Sequence, residues 1–397
     1  METKVETMVV VPLDGEKSGG STIERSQQEN HEEEFQEGGL VGWATVAGAF
    51  IVQFCGFGYT TSFGVYQDFY TRIYITNESP SAISWIGSVN AFLVVACGVL
   101  AGRLYDKGYF YHLMYGGSFL ISFSLFMLSC AKPNQFYQAS VGAGIGAGVM
   151  YVPSIAVISH YFCARRAMAM TIVAAGSSFG AVIHPIMLNN MINGSLGFAN
   201  ATRVSAAMVS VLLLIACLLL RTRPPRGGPP TIALGKALRK FSRDWPYIVS
   251  IIGSSLFLLG YYFPLFYLQL DAVSHGLSEE FAFYALVIMS VASVAGRLIS
   301  GAFVRRLGVG NMVLLSTGCC AVLIFAMIGL RTAASVVVLA VLYGFFAGMY
   351  IALIAPLLAL LSDDISELGI RMGVGLGFSG IGVLTGKIIS HHLHITT

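Results

Sequence analysis

Eleven stretches of this chain run for about 20 residues with almost no charge, which is the length an α-helix needs to cross a hydrocarbon layer. They fall at 42–65, 82–102, 111–130, 137–158, 167–188, 203–220, 246–269, 281–303, 310–330, 333–356 and 371–389. Lipid offers no partner to a backbone N–H or C=O, so each stretch must satisfy its own backbone as a helix. The expected fold class is therefore an all-α membrane protein. Composition agrees. Of 397 residues, 55% are hydrophobic and 11% charged, whereas a soluble domain carries about 25% charged residues. A net charge of +3 gives no sign of a nucleic-acid partner, and none is expected.

Charge placement sets an expected orientation. Arg103 and Lys107 follow the second span, Arg165 and Arg166 the fourth, and Arg305 and Arg306 the eighth. Arg221, Arg223, Arg226, Lys236, Arg239, Lys240 and Arg243 fill the segment after the sixth. Lys and Arg accumulate in cytoplasmic loops, so the N-terminus is expected inside. The loop with Asp363, Asp364 and Glu367 dissents, but acidic residues count little in this rule. The sequons at Asn77, Asn193 and Asn200 all fall in loops expected outside and are candidate glycosylation sites.

The organisation that follows has four parts. Residues 1–37 hold ten acidic residues and few aromatics, and read as a disordered acidic cytoplasmic tail with no signal peptide. Residues 38–220 form a six-helix N-terminal bundle. Residues 221–245, rich in Pro, Gly and basic side chains, form a cytoplasmic linker. Residues 246–397 form a C-terminal bundle of five helices. The seven cysteines lie in or beside apolar segments without CxxC spacing and read as packing residues, not disulfides.

The halves echo each other. Gly102-Arg-Leu-Tyr-Asp106-Lys107-Gly108 closes the second span, and Gly301-Ala-Phe-Val-Arg305-Arg306-Leu-Gly308 closes the eighth. Such repeats typify transporters, whose substrate site lies between the halves near mid-membrane. The first of these loops resembles the conserved loop of the major facilitator superfamily, with Asp106 and Lys107 in its acidic and basic places. Tyr161-Phe162-x-x-Arg165-Arg166, followed by Ala169, Ala174, Gly176 and Gly180, is similar to a signature of the monocarboxylate transporter family. Glu37-Gly38-Gly39 with Trp43, and Tyr343-Gly-Phe-Phe-x-Gly348 with Pro356, resemble two more of its segments. The likeness spans nearly the whole chain and is strongest to the fungal monocarboxylate-transporter-like branch.

That resemblance implies a major facilitator fold of two pseudo-symmetric bundles that carries small organic solutes by alternating access. Major facilitators have twelve helices, so the twelfth is apparently missing here, and the C-terminus is expected to be truncated or atypical. Gly102, Asp106, Lys107, Arg165 and Arg166 would form the gating brace, with Asp106 paired to Arg165 or Arg166. Gly142/Gly146, Gly144/Gly148 and Gly176/Gly180 are spaced for close helix packing. Arg297, a cation inside the eighth span, is either substrate-facing or snorkelling. The resemblance implies that it binds a substrate carboxylate.

Asn90, Tyr151, Tyr261 and Tyr262 are further cavity candidates, though each also reads as a helix-contact residue. His184, beside Pro185, reads first as a packed, hydrogen-bonded histidine and second as a proton site. Two departures weaken lactate–proton symport. Ser293 stands where the family has an acidic residue one turn before the arginine, and Thr61 stands at the place of its first-span lysine. No Asp or Glu lies well inside a predicted span.

Three function classes compete. A transporter leads, for monocarboxylate-like or related metabolites, with efflux of a fungal secondary metabolite as the alternative. A membrane enzyme would need intramembrane catalytic groups, and the one metal-like run, His391-His392-Leu-His394, reads as a chance tail. A non-transporting nutrient sensor is the third class. No cofactor, metal or catalytic residue is expected. The expected partners are a small organic solute and the bilayer, with protons and an accessory membrane protein as further candidates, and the expected location is the plasma membrane.

Overall fold

Ten helices among the described residues are long and apolar enough to cross a membrane. They are α1 (Gly39–Gln67), α2 (Trp85–Asp106), α3 (Phe110–Ser129), α4 (Ser140–His160), α5 (Arg166–Ile192), α6 (Gly197–Leu219), α8 (Trp245–Ser274), α9 (Glu280–Leu307), α10 (Val309–Gly329) and α11 (Ala333–Leu360). Between α6 and α8 lies a short helix, α7 (Leu234–Phe241). The last helix, α12 (Leu368–Thr396), carries a shorter apolar stretch over Leu368–Leu384. The computed structural model describes residues 37–70, 73, 80–130, 136–223, 234–362, 364 and 367–396, with side chains excluded at 68, 80–82, 84, 136–139, 266, 270, 279 and from 385 onward. The acidic segment 1–36, Asn77, linker residues 224–233, Asp363, and the side chains of Lys387, His391, His392 and His394 lie outside that description.

The helices overrun most of the spans read from hydropathy. α8 starts at Trp245 and ends at Ser274, against 246–269 expected. Apolar character marks only the part inside hydrocarbon, while backbone hydrogen bonding continues into the interface. Caps decide the true ends. The Asp244 side chain accepts the Tyr247 amide at the start of α8, and Ser278 accepts the Phe281 amide at the start of α9. Thr332 and Ser335 form a reciprocal capping box at α11.

Two expectations need correction here. The eleventh span, read as 371–389, begins earlier at Leu368, because a side chain from α2 caps its first amides, as described below. Its described apolar part runs over Leu368–Leu384, within a helix that continues to Thr396. The loop expected between the fifth and sixth spans nearly vanishes, since α5 runs to Ile192 and α6 starts at Gly197.

Small residues set which helices touch. In α4, Gly144 and Gly148 face backbone carbonyls of α2 at Asn90 and Leu93, while Gly146 faces Gly117 of α3. One glycine-rich helix thereby packs against two neighbours. Gly176 and Gly180 of α5 meet the carbonyls of Phe50 and Phe54 on α1. The later helices repeat the device: Gly296 of α9 meets Phe345, Gly344 and Gly348 of α11 meet Met289 and Ser293, and Gly382 of α12 meets Ser255 on α8. Close approach of this kind replaces the hydrophobic drive that lipid cannot supply.

Two seams join α1–α6 to α8–α12. α2 packs along α12, and α5 packs along α9. Each seam is closed by one member of the echo seen in the sequence: Gly102 lies against Gly369, and Gly301 against Thr171 and Met168. Residues 38–397 form one compact unit. All seven cysteines are free, and Cys130 and Cys163 are exposed instead of packed as expected.

Candidate functional site

Arg297 is placed by the α5–α9 seam. It stands ten residues before Leu307, about 15 Å along the helix from that end. Its side chain does not snorkel: the residue is 3% exposed. One terminal nitrogen donates to the Ala174 carbonyl at 2.6 Å and to Ser177 Oγ at 2.5 Å, both on α5. Gly176 lets α5 lie close to α1, and the small side chains at 174 and 177 leave room for the guanidinium.

The Nε of Arg297 has no hydrogen-bond partner. No carboxylate pairs with this cation among the described residues, and the phenols of Tyr151 on α4 and Tyr261 on α8 stand near it. Tyr262 packs edge-on to Tyr261, with centroids 5.1 Å apart. Tyr343 of α11 fixes this corner by donating to the Tyr261 carbonyl at 3.0 Å. The structure thus brings together four of the residues singled out by sequence, on α4, α8 and α9, around one buried cation. An unpartnered buried N–H costs about 1–3 kcal/mol. A planar fork with a free donor beside phenols can grip an anionic or carbonyl oxygen at two points.

One turn before Arg297, Ser293 Oγ lies 2.8 Å from Ser178 Oγ of α5. Neutral hydroxyls therefore bridge the seam at a place where the resemblance implied an acidic residue. Thr61 turns back to its own helix, donating to the Gly58 carbonyl at 2.6 Å.

Asn90 and His184 lie apart from this cluster. Asn90 donates to the Ser140 carbonyl at 2.6 Å and borders a cavity of about 50 Å³ among α1–α4, shared with Tyr59, Tyr66 and Ile121. That volume holds waters and no organic solute. His184 is fully buried, its Nε2 lies 3.2 Å from the Phe54 carbonyl, and its ring packs 4.4 Å from Phe54 and 5.0 Å from Tyr59.

The gating residues are distributed differently from the expected brace. Asp106 does not pair with Arg165 or Arg166. Its two carboxylate oxygens accept the amides of Gly369, at 2.9 Å, and Ile370, at 2.6 Å. The reason is geometric: Gly102 and Gly369 let α2 and α12 touch, which brings the carboxylate onto unpaired N–H groups at a helix N-terminus. Lys107 is exposed, Arg165 is the residue before α5, and the Arg166 Nε faces the Phe162 carbonyl at 3.4 Å.

Three groups that sequence reading missed complete this end. Arg371 pairs with Asp244 and lies over the rings of Tyr247 and Phe241, 4.8 and 5.2 Å from their centroids. Tyr247 donates to the Arg371 carbonyl at 2.7 Å, and Lys240 pairs with Glu367 at 2.7 Å. Their partners are more than a hundred residues apart, so no local pattern announces them. The sequons also change character. Asn193 caps α5 and donates to Asn189 Oδ1 at 2.9 Å, whereas Asn200 sits within α6 and is not in a loop.

Helices paired by glycine contacts, two seams and a buried polar cluster between them describe an alternating-access transporter in outline. The family comparison decides the matter, because the profile of the Major Facilitator Superfamily matches residues 45–387. The chain belongs to the Major Facilitator Superfamily. This major facilitator is 34% identical over 377 residues to the aspyridones efflux protein apdF of Emericella nidulans, covering 94% of this chain and 76% of that one. It is 36% identical over 372 residues to the MFS-type transporter dbaD of the same organism, covering 90% and 81%. The major facilitator fold is seen also in the likeness to FucP, solved in the outward conformation, at a TM-score of 0.68 and 14% identity over 89% of this chain and 91% of that one. The protein is thus a multi-pass membrane transporter of small solutes.

Proposed function

We propose that this major facilitator exports small organic metabolites bearing an acidic or strongly accepting oxygen, with Arg297 as the anchoring group. The observation that carries the reading is a 3% exposed arginine within α9 that has a free Nε and no carboxylate partner among the described residues. Tyr151, Tyr261 and Tyr262 supply aromatic walls and phenols for an unsaturated solute. The efflux role comes from relatives named for exported compounds, aspyridones among them. The segments around Arg165, Trp43 and Tyr343 support placement in a monocarboxylate-transporter-like branch.

In this reading, residues 38–220 and 246–397 rock about the α2–α12 and α5–α9 seams, with 221–245 as the linker. The basic loops support a cytoplasmic N-terminus and linker, and with the plasma membrane as the proposed location the capped end of α12 would be a closed cytoplasmic gate. Membrane potential or a proton supplies the coupling, with the partnerless Nδ1 of His184 as one place for that proton.

The test uses purified protein in liposomes and a panel of labelled aromatic and aliphatic organic acids, with and without a pH gradient. Saturable movement of at least one acid, lost in Arg297→Gln, is expected. Equal movement in wild type and Arg297→Gln would exclude the anchoring role.

A further inference from the structure

Helix α7 carries its charge on one side. Lys236, Arg239 and Lys240 stand at three- and four-residue spacings on α7, which places them on one helical face, and Arg243 follows in the turn after the helix. Ala237 and Phe241, 1% and 2% exposed, bury the opposite side against the protein. The apolar face is therefore already used, and α7 does not need the bilayer to cover it.

Of the four cations, Lys240 has a partner in Glu367. Lys236, Arg239 and Arg243 are exposed and make no ion pair among the described residues. Beside them stand two apolar side chains that a water-facing loop would not keep: Trp245 is 71% exposed and Leu238 37% exposed. Trp245 is the first residue of membrane-spanning α8, and α7 ends four residues earlier, so the cationic face is tethered at the depth where a span meets the headgroups. Tryptophan favours that depth.

We infer that the basic surface formed by Lys236 and Arg239 of α7 and Arg243 of the turn that follows, with Trp245 at its edge, is a docking surface for anionic phospholipid in the adjacent leaflet. Charge complementarity identifies the occupant, and the exposed indole distinguishes a lipid from a soluble anion. Each such cation near a charged bilayer surface contributes about 1 kcal/mol, roughly fivefold in affinity. The consequence reaches the gate. α7 also supplies Lys240 to Glu367 and leads into Asp244, the partner of Arg371. Lipid that holds α7 in place therefore stabilises the α12 end that Asp106 caps.

The experiment compares delipidated full-length protein in neutral detergent with added phosphatidylglycerol, phosphatidylcholine of the same acyl chains, or glycerol phosphate. Native mass spectrometry reads bound lipid and thermal unfolding reads stabilisation. Wild type should retain phosphatidylglycerol over phosphatidylcholine by about tenfold or more, since three cations act together. The triple variant Lys236→Gln/Arg239→Gln/Arg243→Gln should lose that preference while keeping its unfolding temperature in detergent alone. Arg239→Lys/Arg243→Lys, which keeps the charge, should retain it. Equal retention of the two lipids by wild type, an undiminished preference in the triple variant, or equal stabilisation by glycerol phosphate overturns the inference. None of these readouts involves transport, so failure here is separable from failure of the efflux reading.

Discussion

Gly102 of α2 and Gly369 of α12 approach so closely that a Cβ on Gly102 would overlap the Gly369 carbonyl. The contact explains why a helix-terminal glycine stands in the loop echo. It is a backbone crossing between the two sets of helices, and it sets the distance at which Asp106 reaches the Gly369 and Ile370 amides.

A branched side chain at 102 should therefore open this seam. Overpacking of a tight contact costs about 1–3 kcal/mol, roughly 5- to 150-fold in an equilibrium. In a cysteine-free background, Val99→Cys and Gly377→Cys should form a disulfide readily, because Val99 lies against Gly377. Adding Gly102→Val should slow that cross-link at least fivefold. An unchanged cross-linking rate would mean that the seam is not held at Gly102.

Asp106→Asn keeps the shape but replaces a two-oxygen acceptor with one oxygen and one amide donor facing N–H groups. The loss should be about 1–2 kcal/mol, the range of a lost helix cap with its charge–dipole contribution. Alkylation of a cysteine replacing Val374, 3% exposed in the second turn of α12, reports opening of the gate. We expect alkylation about fivefold to thirtyfold faster in Asp106→Asn, with folding intact; equal rates would remove Asp106 from the gate.

The two ion pairs at α12 should differ in weight. Arg371 is 1% exposed, so removing its partner strands a buried charge at about 3–5 kcal/mol. Removing Glu367 instead leaves Lys240, whose side chain is 46% exposed, to the solvent, so that loss is worth about 1 kcal/mol or less. Asp244→Ala also removes the α8 cap. Thermal unfolding should therefore drop by several degrees in Asp244→Ala and hardly at all in Glu367→Gln. The reverse ranking would refute the burial argument.

What was legible in the sequence follows physical range. Span number and type were nearly complete, because a run of apolar residues is decided locally by the bilayer. Helix ends were displaced wherever a cap lay outside the apolar run, as Asp244 and Ser278 do for α8 and α9. Arg297 was visible because an isolated cation inside a span is costly wherever its side chain points. Its contacts with Ala174 and Ser177 were not visible, since they depend on how α5 crosses α9. The expected pairing of Asp106 with Arg165 or Arg166 failed for a related reason. Charge alone suggested a side-chain partner, whereas the glycine crossing offered backbone amides at closer range. Asn90 was grouped with the tyrosines by polarity, yet it faces a small cavity among α1–α4.

The central claim is that Arg297 anchors a transported organic anion, and a binding measurement on one residue tests it most directly. Scintillation proximity binding with the labelled acid that gives the largest transport signal should show saturable binding to wild type. Arg297→Lys should weaken it about tenfold or more, since an ammonium cannot reproduce the two-point fork, while Tyr262→Phe, altered only at a hydroxyl beside the cluster, should weaken it less. Undiminished affinity in Arg297→Lys and Arg297→Gln, with both variants folded, would contradict the account.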